Sequence, residues 1–220
     1  MYLALALAVP IATFEVLSFV IGHGLGWRPY VMPGIAMLPG IRDGDWFFVD
    51  TEISGAQSLK RGDIIVFYAP PAVTFGEVGP SGRGMEFAKR VIGLPSDRIV
   101  MTPNGPIING APALQKQLGP YAGKAAPTAR PTLLEESLQG GATYQILKYR
   151  PVDRYDQGVF VVPPGLYFVL GDNRDDSIDS RSPVGGQLGW YVSPHDIIGR
   201  ATYVYWAGFD HLDRIGVAVR

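Results

Sequence analysis

Cysteine is absent from all 220 residues. That excludes disulfides, thiol catalysis and thiolate metal sites, and leaves the compartment open. Histidine is scarce. His23, His195 and His211 lie far apart, and no two have the spacing of a helical metal site, so neither a metal nor a cofactor is expected. Charge of one sign is lacking too: the formal net charge is −1, which argues against nucleic acid as a partner. Long apolar runs are limited to one, at the N-terminus, and no Lys or Arg precedes Arg28. No repeat of solenoid type is visible.

Glycine and proline, by contrast, are abundant (28 and 19) and scattered along the chain. This favours many short strands and turns over long helices. The length suffices for one large domain or two small ones with an ample core. Residues 2–25 are almost wholly apolar, with Glu15 and His23 the only acidic or basic side chains. A bilayer crossing takes roughly 20 helical residues, so residues 1–26 are expected to form a transmembrane anchor in contact with membrane lipid. A cleaved signal peptide is the rival reading, but a basic leading region is missing and the run is long. A buried soluble helix is another. Pro10 is tolerable in a membrane helix, whereas Glu15 in mid-span is costly and calls for a partner or a proton. The positive-inside rule is nearly silent on orientation. Trp27-Arg28-Pro29-Tyr30 reads as interfacial, which puts the following turn-rich stretch, residues 33–45, close to the membrane surface.

From Asp45 onward the pattern is that of strands. Residues 46–49, 64–68, 159–162, 166–170 and 197–206 are β-forming runs, and residues 86–100 read as strand, turn, strand. Asn104-Gly105 and Asn109-Gly110 signal hairpin turns around Pro106-Ile107-Ile108. Residues 111–156 show no clear period; Leu133 to Leu138 suggest one or two helical turns. The expected fold is mainly β.

Lys89 is unusual in context, a charged residue inside a mostly apolar strand. Most such lysines snorkel to solvent. If it is buried, desolvation drives its pKa down and leaves a neutral amine able to act as a general base. Such an amine can activate a serine hydroxyl without any histidine. Residues 171–181, Gly-Asp-Asn-Arg-Asp-Asp-Ser-Ile-Asp-Ser-Arg, crowd charges of both signs with two serines. Taken alone they read as a solvated turn.

Four segments in order resemble the bacterial type I signal peptidases, or leader peptidases, which are membrane-bound Ser-Lys endopeptidases. The family's serine box is matched in part by Pro33, Met37, Pro39, Gly44 and Asp45. Its Arg-Gly-Asp strand matches residues 61–67. Its lysine box matches Lys89-Arg90, Gly93, Pro95 and Asp97. Its Gly-Asp-Asn-Arg box matches residues 171–181 with one change, Asp176. The closing strands fit at Gly189-Trp190, Val192 and residues 196–201. The resemblance implies coiled antiparallel sheets with a small inserted β domain, divided as 27–100 and 159–220 for the catalytic part and 101–158 for the insertion. It implies Lys89 as general base and Ser177 as the hydroxyl that orients it. Arg90, Asp172, Asp179 and Arg181 would hold the acidic box against the lysine strand. Gly34, Ile35 and Met37 would lie by the substrate, although Met37 fits core packing equally well. The implied substrates are preproteins bearing signal peptides that end in Ala-x-Ala, cut at the outer face of the bacterial cytoplasmic membrane.

The sequence departs from that family at the nucleophile. Position 36 is alanine, and a methyl group cannot attack a carbonyl. Gly34 replaces a serine that helps the oxyanion hole in many members, though some members also carry glycine; Gly40 replaces a threonine. Two accounts fit Ala36: a Ser→Ala replacement in an intact site, or a natural relative that has lost catalysis. The intact lysine and acidic boxes favour the first. A non-catalytic binding module for exported chains and a specialised pilus-maturation peptidase of the same fold are the alternatives.

Overall fold

A computed structural model describes residues 26–53, 59–74, 76–77, 79, 81–123, 130–141, 143–149 and 157–219, with residues 20 and 24. The expected anchor over 1–26 thus lies almost wholly outside the described residues. Among those described, no helix is long and apolar enough to cross a membrane.

The architecture is mainly β, as expected. The largest sheet has six strands: β1 (Trp27–Val31), β2 (Trp46–Asp50), β3 (Ile64–Tyr68), β4 (Glu86–Gly93), then, much later in the chain, β12 (Phe168–Leu170) and β13 (Ile197–Trp206). Their order is β1-β2-β13-β3-β4-β12, and every neighbouring pair is antiparallel. β3 is buried along almost its whole length because the sheet is covered on both faces. Ile64 and Val66 pack with Met37, Phe47 and Val49, while the alternate residues Ile65 and Phe67 pack with Val91, Tyr167 and Trp190, as the two-residue side-chain period requires.

β5 (Arg98–Thr102), β6 (Gly105–Ile108), β7 (Ala111–Pro112) and β11 (Gly158–Val161) form a second sheet, ordered β11-β5-β6-β7. Its β5–β6 turn closes at the expected Asn104-Gly105, with Thr102 opposite Gly105. The third sheet is β10-β9-β8, from β8 (Leu114–Pro120), β9 (Thr132–Ser137) and β10 (Thr143–Lys148). This corrects two expectations: residues 111–149 carry regular strands, and residues 133–137 are strand where a helical turn was expected. Their mixed polarity has a physical reason, since β8 is largely solvent-facing and only Glu136 of β9 is fully buried. Trp27 to Tyr30, read from sequence as interfacial, take a regular secondary structure. These residues form edge strand β1, paired with β2. Pro29 is accommodated because an edge strand can spare one backbone donor.

The two smaller sheets meet the main one over a shared core of Ile92, Ile99, Met101, Tyr144, Ile146, Phe160 and Phe168. β4 therefore runs from the main sheet into this second core, and Lys89 sits midway along it.

Candidate active site

The turn between β1 and β2 is pinned from both ends. Met32 and Asp45 are tied by a backbone hydrogen bond of 2.9 Å. The buried Asp45 carboxylate accepts from the Arg214 guanidinium and from the Arg42 N–H at 2.8 Å, and Arg214 also reaches the Gly40 carbonyl at 2.9 Å. Gly34 adopts φ +104, a region open to glycine and strained for other residues. Its N–H donates to Asp43 at 2.7 Å. A serine at this position would thus carry a backbone cost.

Residues 171–181 grip this turn. The Asn173 N–H donates to the Ala36 carbonyl and its Nδ2 to the Ile35 carbonyl, each at 3.1 Å. Among the described residues the Ala36 N–H itself donates to no acceptor. Gly171 lies at the junction. A Cβ on it would come within 2.2 Å of Ser177 Oγ and 2.7 Å of the Ala36 carbonyl oxygen. Ser177 Oγ is buried without a hydrogen-bond partner.

Four of the charges in this stretch, Asp172, Arg174, Asp179 and Arg181, are buried and paired, not solvated, whereas Asp176 is exposed. Arg90 of β4 holds Asp172 through Nε–Oδ1 at 2.7 Å and Nη2–Oδ2 at 2.5 Å, joining the lysine strand to the acidic stretch. Arg181 holds Asp179 at 2.9 and 2.8 Å, and Asp179 also accepts the Gly171 N–H at 3.0 Å. Burial pushes the Asp179 carboxyl up, but Arg181, the Gly171 N–H and Lys89 together hold it below the usual range. Arg174 forms a bidentate pair with Glu136 of β9, which also accepts from Tyr144 at 2.7 Å and Gln115 at 2.7 Å. Glu136 shows the same pattern: burial raises its pKa, and Arg174 with its neighbours lowers it further than that.

Lys89 is only 4% exposed. Its pKa is lowered from 10.5 to about 8, chiefly by burial; Asp179 and Asp172 oppose the shift and Arg181 adds to it. No hydrogen bond or ion pair reaches its amine among the described residues, and Nζ stands over the Phe87 ring, 5.2 Å from its centroid. The charge is therefore expensive to keep, and the amine is available near neutral pH.

Lys89, Ala36, Ile35 and Ser177 all line one open cleft of about 750 Å³, with Phe47, Val66 and Ala88 among its apolar walls. Two of the expected substrate contacts lie elsewhere. Gly34 is not in the lining, and Met37 is fully buried in the core beneath the turn. Sequence reasoning gave no role to Asn173, Glu136, Arg174 and Arg214, and named Asp45 only as a motif match. Asn173 and Arg174 stood inside a quoted motif, and asking what buried partner such an arginine needs would have led toward an acid in residues 101–158.

An amine held near its neutral form, a turn opening on the same cleft and an uncommitted N–H on that turn are parts used by acyl-transfer hydrolases. Together with the antiparallel sheets they define a mainly β protein of protease type. The description "signal peptidase, peptidase S26" fits residues 3–206, and the chain belongs to that family. Among its relatives, signal peptidase I T of Bacillus subtilis (strain 168) is 31% identical over 205 residues, 93% of this chain and 86% of that protein. Signal peptidase I of Rickettsia typhi (strain ATCC VR-144 / Wilmington) is 34% identical over 159 residues, 69% of this chain and 54% of that protein. The chain thus spans about half the length of the Rickettsia relative. A crystal structure of a signal peptidase I from Enterococcus faecalis V583 is 24% identical and covers 65% of this chain and 96% of its own, with a TM-score of 0.33, too low for any argument on the fold.

Proposed function

We propose that this chain is a signal peptidase I, a membrane-anchored serine endopeptidase built to remove Ala-x-Ala signal peptides from exported preproteins. As written, with Ala36, it binds them without cutting. The observation that carries this reading is the buried, unpaired Lys89 opening on the same cleft as residue 36. With serine at 36, Lys89 takes the hydroxyl proton as the oxygen attacks the scissile carbonyl. The N–H of residue 36 stabilises the oxyanion. Lys89 then passes the proton to the leaving amine, and repeats the exchange with water to release the acyl chain. Ser177, whose unpartnered Oγ lies on the same cleft, would orient the amine in the substrate complex, while the Arg90–Asp172 pair positions the strand that bears it. Ile35, Val66 and Ala88 give the cleft apolar walls that suit alanine side chains. Residues 1–26 would anchor the chain in the cytoplasmic membrane with the cleft on its outer side, and residues 101–158 would be an inserted domain.

A catalytically silent binding module is the second reading, favoured by Ala36 itself. The test compares the chain with its Ala36→Ser variant on an Ala-x-Ala preprotein. Cleavage by the variant alone supports the proposal. Equal cleavage by both removes residue 36 from the nucleophile role, and cleavage by neither leaves the binding module.

A further inference from the structure

The cleft carries more negative charge than hydrolysis requires. Besides Lys89, its ionisable lining consists of Tyr30, Glu86, Asp175 and Asp176. Glu86 begins β4 and is solvent-exposed, as is Asp176 on the loop opposite. Neither carboxylate takes part in a hydrogen bond or ion pair among the described residues. Asp175 by contrast is engaged, accepting the Tyr149 N–H at 2.6 Å. The influence of Glu86 is felt inside the cleft: burial first, and then this carboxylate, push the Tyr30 hydroxyl up to about 12. Tyr30 therefore stays protonated and cannot neutralise the wall. Among the described residues no arginine lines the cleft, and the one cation there, the buried Lys89, has no partner.

Resting on the signal-peptidase reading above, we propose that Glu86 and Asp176 make this cleft selective for a substrate with a lysine or arginine beside its Ala-x-Ala segment. Two carboxylates with no protein partner, on separate elements flanking an otherwise apolar peptide cleft, offer an incoming cation what the protein itself does not supply. Unlike charges across a binding face mainly set specificity and encounter rate. Asp176 stands where the resembling motif has asparagine, so part of this charge is particular to the present chain.

The test uses the full chain with Ala36, which permits binding to be measured without turnover. A series of Ala-x-Ala peptides carries one lysine moved stepwise along the flanks, with alanine and glutamate versions at each position. The lysine peptide at one or two neighbouring positions is expected to bind about three- to tenfold tighter than its alanine counterpart at low salt, the range of one or two partly exposed charge contacts. Glutamate there should weaken binding. The preference should shrink as salt rises through 0.5 M, because screening shortens the reach of exposed charges. It should fall in Glu86→Gln and Asp176→Asn, and invert in Glu86→Lys. Equal binding of lysine and alanine peptides at every position, or a preference that survives both neutral substitutions, overturns the selectivity while leaving the peptidase reading intact. Failure of every peptide to bind, the neutral ones included, overturns the peptidase reading and the selectivity with it.

Discussion

Replacing Lys89 by methionine is expected to stabilise the fold, and the gain should depend on pH in a defined way. Lys89 is buried and its ammonium has no partner among the described residues, so the native state resists its charge. Its pKa falls from 10.5 to about 8. At ~1.4 kcal/mol per unit that interval corresponds to about 3 kcal/mol of penalty. The sign follows from proton binding. Below pH 8 both the native and unfolded chains carry the proton, and the native state bears the whole penalty. Between pH 8 and 10.5 the native amine is neutral while the unfolded one stays charged, so the parent gains stability as pH rises. Methionine, similar in length and apolar, has no such term. Urea unfolding of both proteins from pH 6 to pH 10.5 should show the variant ahead by up to about 3 kcal/mol at pH 6–7, with the gap closing above pH 8. A variant less stable than the parent at pH 7, or a gap that ignores pH, would refute the idea that Lys89 is a desolvated charge.

Three further outcomes follow from the same geometry. In an Ala36→Ser background, kcat/KM should rise with pH and reach half its plateau near pH 8, since the working form of Lys89 is the free amine; a flat profile from pH 6 to 10 contradicts this. Gly171→Ala places a methyl 2.2 Å from Ser177 Oγ, so a loss of about 1–3 kcal/mol in denaturant unfolding is expected, together with loss of peptide binding in a titration. Glu136→Ala strands the Arg174 guanidinium, whose side chain is 3% exposed. It should cost about 3–5 kcal/mol in the same unfolding assay, and replacing Glu136 and Arg174 together by methionine should cost less.

Much of the main sheet was legible because its strands are short apolar runs bounded by Gly-Asp or Pro. Trp46 to Val49 and Ile64 to Tyr68 are cases where composition and burial agree. The hairpin at Asn104-Gly105 was legible because turn chemistry is local. β8 and β9 were not, since they belong to a small sheet with β10 and to an acid–base network whose members come from residues 115, 136, 144 and 174. No periodic signal distinguishes Glu136 from Glu135; burial by a distant arginine does. At the site, Lys89 stood out by its apolar context and Ser177 by the motif around it. Met37 was ambiguous from sequence, and packing resolves it toward the core. The grip of Asn173 on Ile35 and Ala36 spans well over a hundred residues, a separation that local pattern cannot bridge.

The central claim is that residue 36 and Lys89 form one catalytic pair that lacks a single oxygen. It is tested most directly by comparing Ala36→Ser with Ala36→Ser/Lys89→Ala on one Ala-x-Ala preprotein, with sequencing of the new N-terminus. A cut directly after the Ala-x-Ala segment is expected from the first variant and none from the second. Comparable cleavage by both would contradict it, because serine would then be activated without Lys89.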